Sequence, residues 1–231
     1  MTNTTEIAFI LDQSGSMQSI KSGTLEGVNA FITQQKEEND KYPVRLSLTL
    51  FSTDFEIRHS SVPVTEVPVL TEKTYLPNGG TALIDAIGST IDELGKRLSE
   101  TPEAERPGTV IVAIMTDGEE NSSRHFNWLQ ISDKIKHQTG AYKWQFLFLG
   151  ANQDAIATAA RMNIAAENSA NFYQRDRSSR SVLRAAARSV SSSKERNYFS
   201  LRDPDLGEAL HPKKSLSELY AEEEAKPDSG K

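Results

Sequence analysis

The chain has 231 residues, enough for one domain of ordinary size with a tail or for two very small domains. Its formal net charge of −6 argues against a general nucleic-acid binder, and the absence of cysteine excludes disulfides, a thiol nucleophile and a cysteine-based metal site. Neither a signal peptide nor a long apolar span is visible, so we expect a cytoplasmic protein that does not insert into a membrane.

The first predicted element is a buried strand at residues 7–11, and the turn Asp12-Gln13-Ser14-Gly15-Ser16-Met17 follows it directly. A helical pattern begins a few residues later and ends near residues 39–40; its apolar face consists of Ile20, Thr24, Val28, Phe31 and Ile32. The turn holds one carboxylate and two hydroxyls, which are ligands suited to a hard divalent cation. Ser and Asp are also common helix N-caps, so the turn alone leaves both interpretations open.

An alternating strand at residues 44–51, a polar turn and a second strand at 55–59 predict an antiparallel hairpin. The glycine-rich loop Asn78-Gly79-Gly80-Thr81 requires unusual backbone angles. A helix follows this loop, with an apolar face of Leu83, Ile87, Ile91, Leu94 and Leu98. The next buried strand, at residues 109–115, ends in Thr116-Asp117-Gly118, and the polar residues after it either line a site or form a solvated loop.

The following segment continues the alternation of helices and strands. It contains a helix marked by Trp128, Ile131 and Ile135, a strand at 144–149, a short helix around Ile156 and Ala160, and a last strand at 170–173. This order of elements predicts an α/β sheet that is mostly parallel, with one antiparallel edge strand.

From residue 176 onward the composition changes. A predicted helix carries four arginines on one stripe and three apolar residues on the next, namely Arg177, Arg180, Arg184 and Arg188 beside Leu183, Ala187 and Val190. Such a helix can touch nucleic acid, but packing of the apolar stripe on the sheet is the favoured interpretation. We predict a domain at residues 1–191 and a largely disordered tail at 192–231, with a short helix at 216–224.

The three polar loops are predicted to meet at one edge of the sheet. If the strand order is 3-2-1-4-5-6, ligands bind where this order reverses, between the first strand and the strand at 109–115. Asp12 and Asp117 end these two strands, and Thr81 belongs to a loop at the same edge. We therefore predict an all-oxygen pocket formed by Asp12, Ser14, Ser16, Thr81 and Asp117.

Two carboxylates balance the charge of one divalent cation, so an open coordination position would favour an anionic ligand, most simply an Asp or Glu of another protein. A magnesium-dependent phosphoester hydrolase that uses Asp12 is a competing hypothesis, although Ser14 stands where such a site would carry a second acid. A third hypothesis is a structural or assembly subunit in which the tail joins copies of the chain.

The motif Asp12-x-Ser14-x-Ser16, Thr81 after two glycines, and Thr116-Asp117-Gly118 resemble the von Willebrand factor A (VWA) domain and its metal-ion-dependent adhesion site (MIDAS). The resemblance covers residues 5–190 and is greatest to small cytoplasmic bacterial and phage members of the family. It implies a Rossmann-like, doubly wound, six-stranded sheet of order 3-2-1-4-5-6.

The resemblance also implies a function. Ser14, Ser16 and Thr81 would bind Mg²⁺, Mn²⁺ or Ca²⁺, with Asp12 and Asp117 acting directly or through water. The expected protein is a metal-dependent protein-binding module rather than an enzyme, and its partner is an intracellular protein that offers an Asp or Glu. We expect neither a nucleic acid nor a membrane as partner, and we count self-association through the tail as an additional hypothesis.

Overall fold

The apolar runs of the sequence form a single six-stranded sheet in the structure, which is a computed structural model that describes residues 2–151, 155–201 and 214–227. The strands are β1 (Thr2–Asp12), β2 (Val44–Phe51), β3 (Phe55–Pro63), β4 (Pro107–Thr116), β5 (Gln145–Gly150) and β6 (Ser169–Asn171). Their order is β3-β2-β1-β4-β5-β6, and β3 pairs with β2 in the antiparallel direction while the other pairs are parallel. The predicted fold class, strand order and antiparallel edge strand are confirmed.

Helices cover both faces of this sheet. They are α1 (Lys21–Glu37), α2 (Leu83–Glu100), α3 (Trp128–Tyr142), α4 (Ala155–Arg161), α5 (Asp176–Ser200) and α6 (Leu216–Ala225). Side chains alternate along a strand, so β1 contributes to a core on each face of the sheet. Ile7, Phe9 and Leu11 belong to the core beneath α1, α5 and α6. Ala8 and Ile10 belong to the core beneath α2, α3 and α4. Among the described residues, no helix combines the length and apolarity needed to cross a lipid bilayer.

Two glycines allow α5 to lie close against α1. A β-carbon on Gly23 would lie 2.1 Å from the carbonyl oxygen of Asp176, and one on Gly27 would lie 2.5 Å from a methyl carbon of Leu183. The apolar stripe of α5 is buried, as the favoured interpretation of this helix predicts. Two of its arginines pair with carboxylates of neighbouring helices, Arg180 with Glu26 on α1 and Arg188 with Glu222 on α6.

The boundary predicted at residue 191 falls inside α5, which continues to Ser200. Lys194 is fully buried, and its ammonium group lies 2.6 Å from a carboxylate oxygen of Glu38 and donates to the side chain of Gln35. Tyr198 packs edge-on against Tyr42, with ring centroids 5.4 Å apart. The polar residues of this segment therefore form buried ion-pair and hydrogen-bond contacts at the C-terminal end of α1, and they do not belong to a free tail.

The short helix predicted at 216–224 is present as α6 and packs against α5 and β6. Ser215 and Glu218 form a capping box at its start, and its apolar side chains Leu216, Leu219 and Tyr220 join the core beneath α1 and α5. An isolated helix of this length is marginal in water, so the apolar surface of α5 and β6 accounts for its stability. The rest of the predicted tail, residues 202–213 and 228–231, lies outside the described residues.

The buried ion pair of Lys194 generates a prediction about stability. Burial alone would raise the pKa of Glu38, but the hydrogen bond and charge of Lys194, with hydrogen bonds from Ser191 and Gln34, together hold this pKa below its usual value. Burial also lowers the pKa of Lys194, so the cost of burying the ammonium group offsets part of the stabilisation. Lys194→Met should lower the unfolding free energy by about 1–3 kcal/mol at pH 7, because a partly buried carboxylate loses its charged partner. Lys136→Met, which changes an exposed lysine of α3, is the matched control in urea denaturation.

The pH dependence of this difference follows from the direction of the pKa shift of Glu38. A carboxyl whose folded pKa is lowered stabilises the protein above its ordinary pKa and loses this contribution as the pH falls through the folded value. The gap between wild type and Lys194→Met should therefore shrink in acid. A Lys194→Met variant as stable as wild type at pH 7 would show that the bonds of Lys194 to Glu38 and Gln35 do no more than offset the cost of burying its ammonium group.

The packing of α6 generates a second prediction. Truncation after Leu201 should lower the unfolding free energy by at least about 3 kcal/mol, since burial of one large apolar side chain contributes about 1.5–3 kcal/mol and α6 buries three. Truncation after Pro227, which keeps α6, is the control. Equal melting temperatures for the two truncated proteins would show that α6 adds nothing to the stability of the domain.

Candidate metal centre

The turn after β1 is shaped by hydrogen bonds to Asp12. The main-chain N–H of Ser14 donates to Asp12 Oδ1 at 2.6 Å, which is the local turn that an Asp followed by small polar residues favours. The hydroxyl oxygens of Ser14 and Ser16 lie 3.1 Å apart. Asp12 and Ser14 are buried while Ser16 is exposed, so this end of the turn opens to solvent.

The glycine-rich loop lies against this turn. Gly79 has a φ of +72°, a left-handed conformation that favours glycine, and its carbonyl oxygen accepts the N–H of Gly15 at 3.1 Å. The N–H of Thr81 donates to the side-chain oxygen of Asn121 at 2.9 Å. Main-chain contacts on both sides therefore fix the position of Thr81.

The end of β4 completes the cluster. Since β1 and β4 are adjacent and parallel, their carboxyl ends meet, and the hydroxyl of Thr116 donates to Asp12 Oδ2 at 2.6 Å. The hydroxyl of Ser16 donates to Asp117 Oδ1 at the same distance. A β-carbon placed on Gly118 would lie 3.0 Å from Thr81 Oγ1 and 3.4 Å from Ser16 Oγ, so these two hydroxyls border the same space. The structure thus brings together all five residues that the sequence analysis singled out.

The carboxyl groups of Asp12 and Asp117 are both buried. Burial raises the pKa of Asp12 to about 6, and the nearby charge of Asp117 acts in the same direction. Burial also raises the pKa of Asp117, although hydrogen bonds from Ser16 and Gln174 oppose the shift. Among the described residues, no basic side chain donates to either carboxylate. Each ionised carboxylate is therefore destabilised by burial, a situation that a bound divalent cation relieves.

The chemistry of the donors fits such a cation. Two carboxylates and three hydroxyls offer only oxygen ligands, which hard cations such as Mg²⁺ prefer. Within residues 2–151, 155–201 and 214–227, no group of three His, Asp or Glu side chains is arranged to hold a metal ion. Any ion bound here would consequently depend on hydroxyl and water ligands beside Asp12 and Asp117.

The polar residues after Asp117 form hydrogen bonds that hold the loop next to the site. The carboxylate of Glu120 accepts the main-chain N–H groups of Ile84, Ser122 and Ser123. The bond from Ile84 joins the β4–α3 loop to the start of α2, and the other two bonds lie within the loop. The sequence left open whether this loop lines a site or is solvated. In the structure Glu120 holds the loop in place, because both of its carboxylate oxygens accept neighbouring main-chain N–H groups.

Sequence reasoning missed three residues that contact the carboxylates or their strand. Thr116 donates to Asp12, Gln174 donates to Asp117 Oδ2 at 2.7 Å, and the buried hydroxyl of Tyr75 donates to the carbonyl oxygen of Asp12 at 2.6 Å. The position of Gln174 just after the last strand was the available signal, because the loops that follow parallel strands share one edge of the sheet.

A cavity of about 220 Å³ opens beside the cluster. Thr116 and Gly118 border both the cluster and the cavity, whose lining also includes Trp128 and Phe148. The guanidinium of Arg161 lies over the ring of Trp128, 4.2 Å from its centroid. The volume is below the range of about 300–1,000 Å³ typical of small-molecule sites, so it suits a single side chain better than a cofactor.

Comparison with known proteins shows similarity in structure but not in sequence. No family model matches the chain, and no curated protein matches it. Among solved structures, the von Willebrand factor type A protein from Catenulispora acidiphila superposes on 80% of this chain with a TM-score of 0.53 and 13% identity. Manganese-loaded TRAP protein from Plasmodium vivax superposes on 74% of this chain and 69% of its own, with a TM-score of 0.52 and 16% identity.

Proximal thread matrix protein 1 from the mussel byssus, solved with a zinc-occupied MIDAS motif, matches 80% of this chain with a TM-score of 0.54 and 12% identity. This chain spans only 42–47% of the length of the mussel and Catenulispora proteins. At such low identities the similarity establishes the fold alone. The sheet order, the flanking helices and these structural neighbours together show that the chain has the VWA fold.

Proposed function

We propose that this protein is a metal-dependent protein-binding module. In this proposal Asp12, Ser14, Ser16, Thr81 and Asp117 hold one divalent cation, Mg²⁺ or alternatively Mn²⁺ or Ca²⁺. The observation that carries the proposal is the convergence of two buried carboxylates and three hydroxyls from three loops at the carboxyl ends of β1 and β4. Neighbouring proteins of the same fold include one loaded with manganese and one whose MIDAS motif holds zinc, which supports a divalent ion.

The charge of the cluster supports an acidic partner. Asp12 and Asp117 balance one divalent cation, and the hydroxyls add no charge, so the bound ion keeps an affinity for a further anionic ligand. The exposure of Ser16 leaves the cluster accessible from solvent. We propose that an Asp or Glu side chain of an intracellular partner protein completes the site, as the resemblance to small cytoplasmic bacterial and phage VWA proteins implies.

The environment of Asp12 favours binding over hydrolysis. As a nucleophile, its carboxylate would have to reach a phosphorus atom, but the side chain is fully buried and both oxygens accept hydrogen bonds. These bonds suit a residue that holds a metal and a turn in place. We therefore propose an interaction module rather than a phosphoester hydrolase, with a protein rather than a nucleic acid or membrane as its partner.

The first test of this proposal measures metal binding by calorimetry. We expect wild type to bind Mn²⁺ once per chain, and we expect Asp12→Asn and Asp117→Asn to weaken binding at least about 100-fold by removing a charged ligand. Neither change should destabilise the metal-free protein at neutral pH, because burial already disfavours the ionised carboxyl groups. Asp92→Asn, in the exposed pair with Lys134, is the control, and undiminished binding by both site variants would refute the site.

The second test concerns Thr81 and the partner. Thr81→Val keeps the shape of the side chain and removes its hydroxyl, so Mn²⁺ affinity should fall about 10-fold. Stability should stay unchanged, because the main-chain N–H of Thr81 still bonds to Asn121. Partner protein retained on the immobilised domain should be lost in Thr81→Val, in Asp12→Asn and on addition of chelator. A partner that binds equally well in excess chelator would contradict the proposed function.

A further inference from the structure

The loop between β6 and α5 reaches the metal centre through Gln174. Its side-chain amide donates to Asp117 Oδ2 at 2.7 Å, while the hydroxyl of Ser16 donates to Asp117 Oδ1 at 2.6 Å. Both oxygens of this carboxylate are therefore fixed by donors on opposite sides. A carboxylate held in this way cannot rotate freely, so Gln174 determines which lone pairs remain available in the centre.

The residue after Gln174 connects the same loop to α6. The guanidinium of Arg175 donates to Glu224 at 3.1 Å, and its Nε donates to the hydroxyl of Ser178 at 2.8 Å. Arg177 donates to the main-chain oxygen of Glu224 at 2.7 Å. The C-terminal half of α6 thus packs against the loop that carries Gln174. Glu224 bonds to Arg175, Arg175 directly follows Gln174 in the chain, and Gln174 bonds to Asp117.

We propose that Gln174 is a further residue of the metal centre, a positioning residue that orients Asp117, and that α6 holds it in place through Glu224. This inference rests on the proposed metal-binding function and assigns a role to α6 that its contribution to the core does not require. Removal of groups that orient metal ligands commonly lowers affinity about 10–100-fold. The contribution of Glu224 should be smaller, because Arg175 is more than half exposed and keeps its bond to Ser178.

Calorimetric titration with Mn²⁺ tests the proposal. Gln174→Leu removes the donor, keeps much of the bulk, and should lower affinity about 10-fold. Glu224→Gln should lower affinity about threefold. The double variant should bind no more weakly than Gln174→Leu alone, because residues that act through one path are not additive. A purely structural contribution of Glu224 would instead add to the loss in Gln174→Leu.

A matched control is available on the same helix. Glu222 also pairs with α5, through Arg188 at 2.8 Å, and its other ion-pair partner among the described residues is Lys214 rather than a residue of the loop that carries Gln174. Glu222→Gln should leave Mn²⁺ affinity unchanged. Melting temperatures of all variants, measured without metal, show whether any loss of affinity arises from unfolding.

A second readout does not depend on metal. In ¹⁵N NMR spectra of the metal-free protein, the bond to Asp117 should shift the side-chain amide signal of Gln174 from the position of a free glutamine. Glu224→Gln should move this signal toward the free position, while Glu222→Gln should not. Normal Mn²⁺ affinity in Gln174→Leu, or the same Gln174 amide signal in the two glutamate variants, would overturn the inference and leave the metal site standing. Absence of Mn²⁺ binding by wild type would overturn the proposed function and the inference with it.

Discussion

The hydrogen bond between Thr116 and Asp12 joins the ends of the two central strands, and the candidate site depends on it. β1 and β4 are adjacent and parallel, so a residue at the end of one can bond to a residue at the end of the other without a bend in either strand. This arrangement buries the carboxylate of Asp12 at the carboxyl end of the central strands. The cost of that burial is visible in the raised pKa of Asp12, and the function we propose uses the resulting affinity for a cation.

Main-chain hydrogen bonds hold the loops around this bond in place. Asn78 donates its N–H to the carbonyl oxygen of Gln13, and Asn121 donates its N–H to the carbonyl oxygen of Thr81. Such bonds set the positions of hydroxyl groups more tightly than a flexible loop would allow. Oxygen donors that are already in position lose little conformational entropy when a ligand binds. Preorganisation of this kind increases the affinity of a site for its ion.

The sequence was informative where residue patterns are local. Strands buried on both faces leave continuous apolar runs, which is why β1, β4 and β5 could be predicted and the sheet assembled from them. The five predicted site residues come together because each follows a strand or begins a helix at the same edge. Their role as metal ligands stays a prediction.

Contacts between distant segments could not be inferred in the same way. The position of Gln174 after the last strand indicates only the edge of the sheet on which it lies. It belongs to no motif, and its distance of 57 residues from Asp117 in the chain leaves no periodicity that would identify its partner. The tail was predicted to begin at residue 192, yet Ser193 bonds to Gln145 and the nearby Ser191 bonds to Glu38. Small hydroxyl side chains are compatible with burial when a partner is present, and composition alone does not reveal the partner.

The two edges of the sheet are protected from further strand pairing by different means. On β3 the outer positions include Glu56 and Arg58, charged side chains that discourage another strand from adding to the sheet. β6 has no such charges; it is three residues long, and the hydroxyl of Ser217 on α6 bonds to the carbonyl oxygen of Ser169. A chain that lacks α6 would present an uncharged strand edge beside an uncovered apolar surface, which is the usual starting point for aggregation through intermolecular β-sheet.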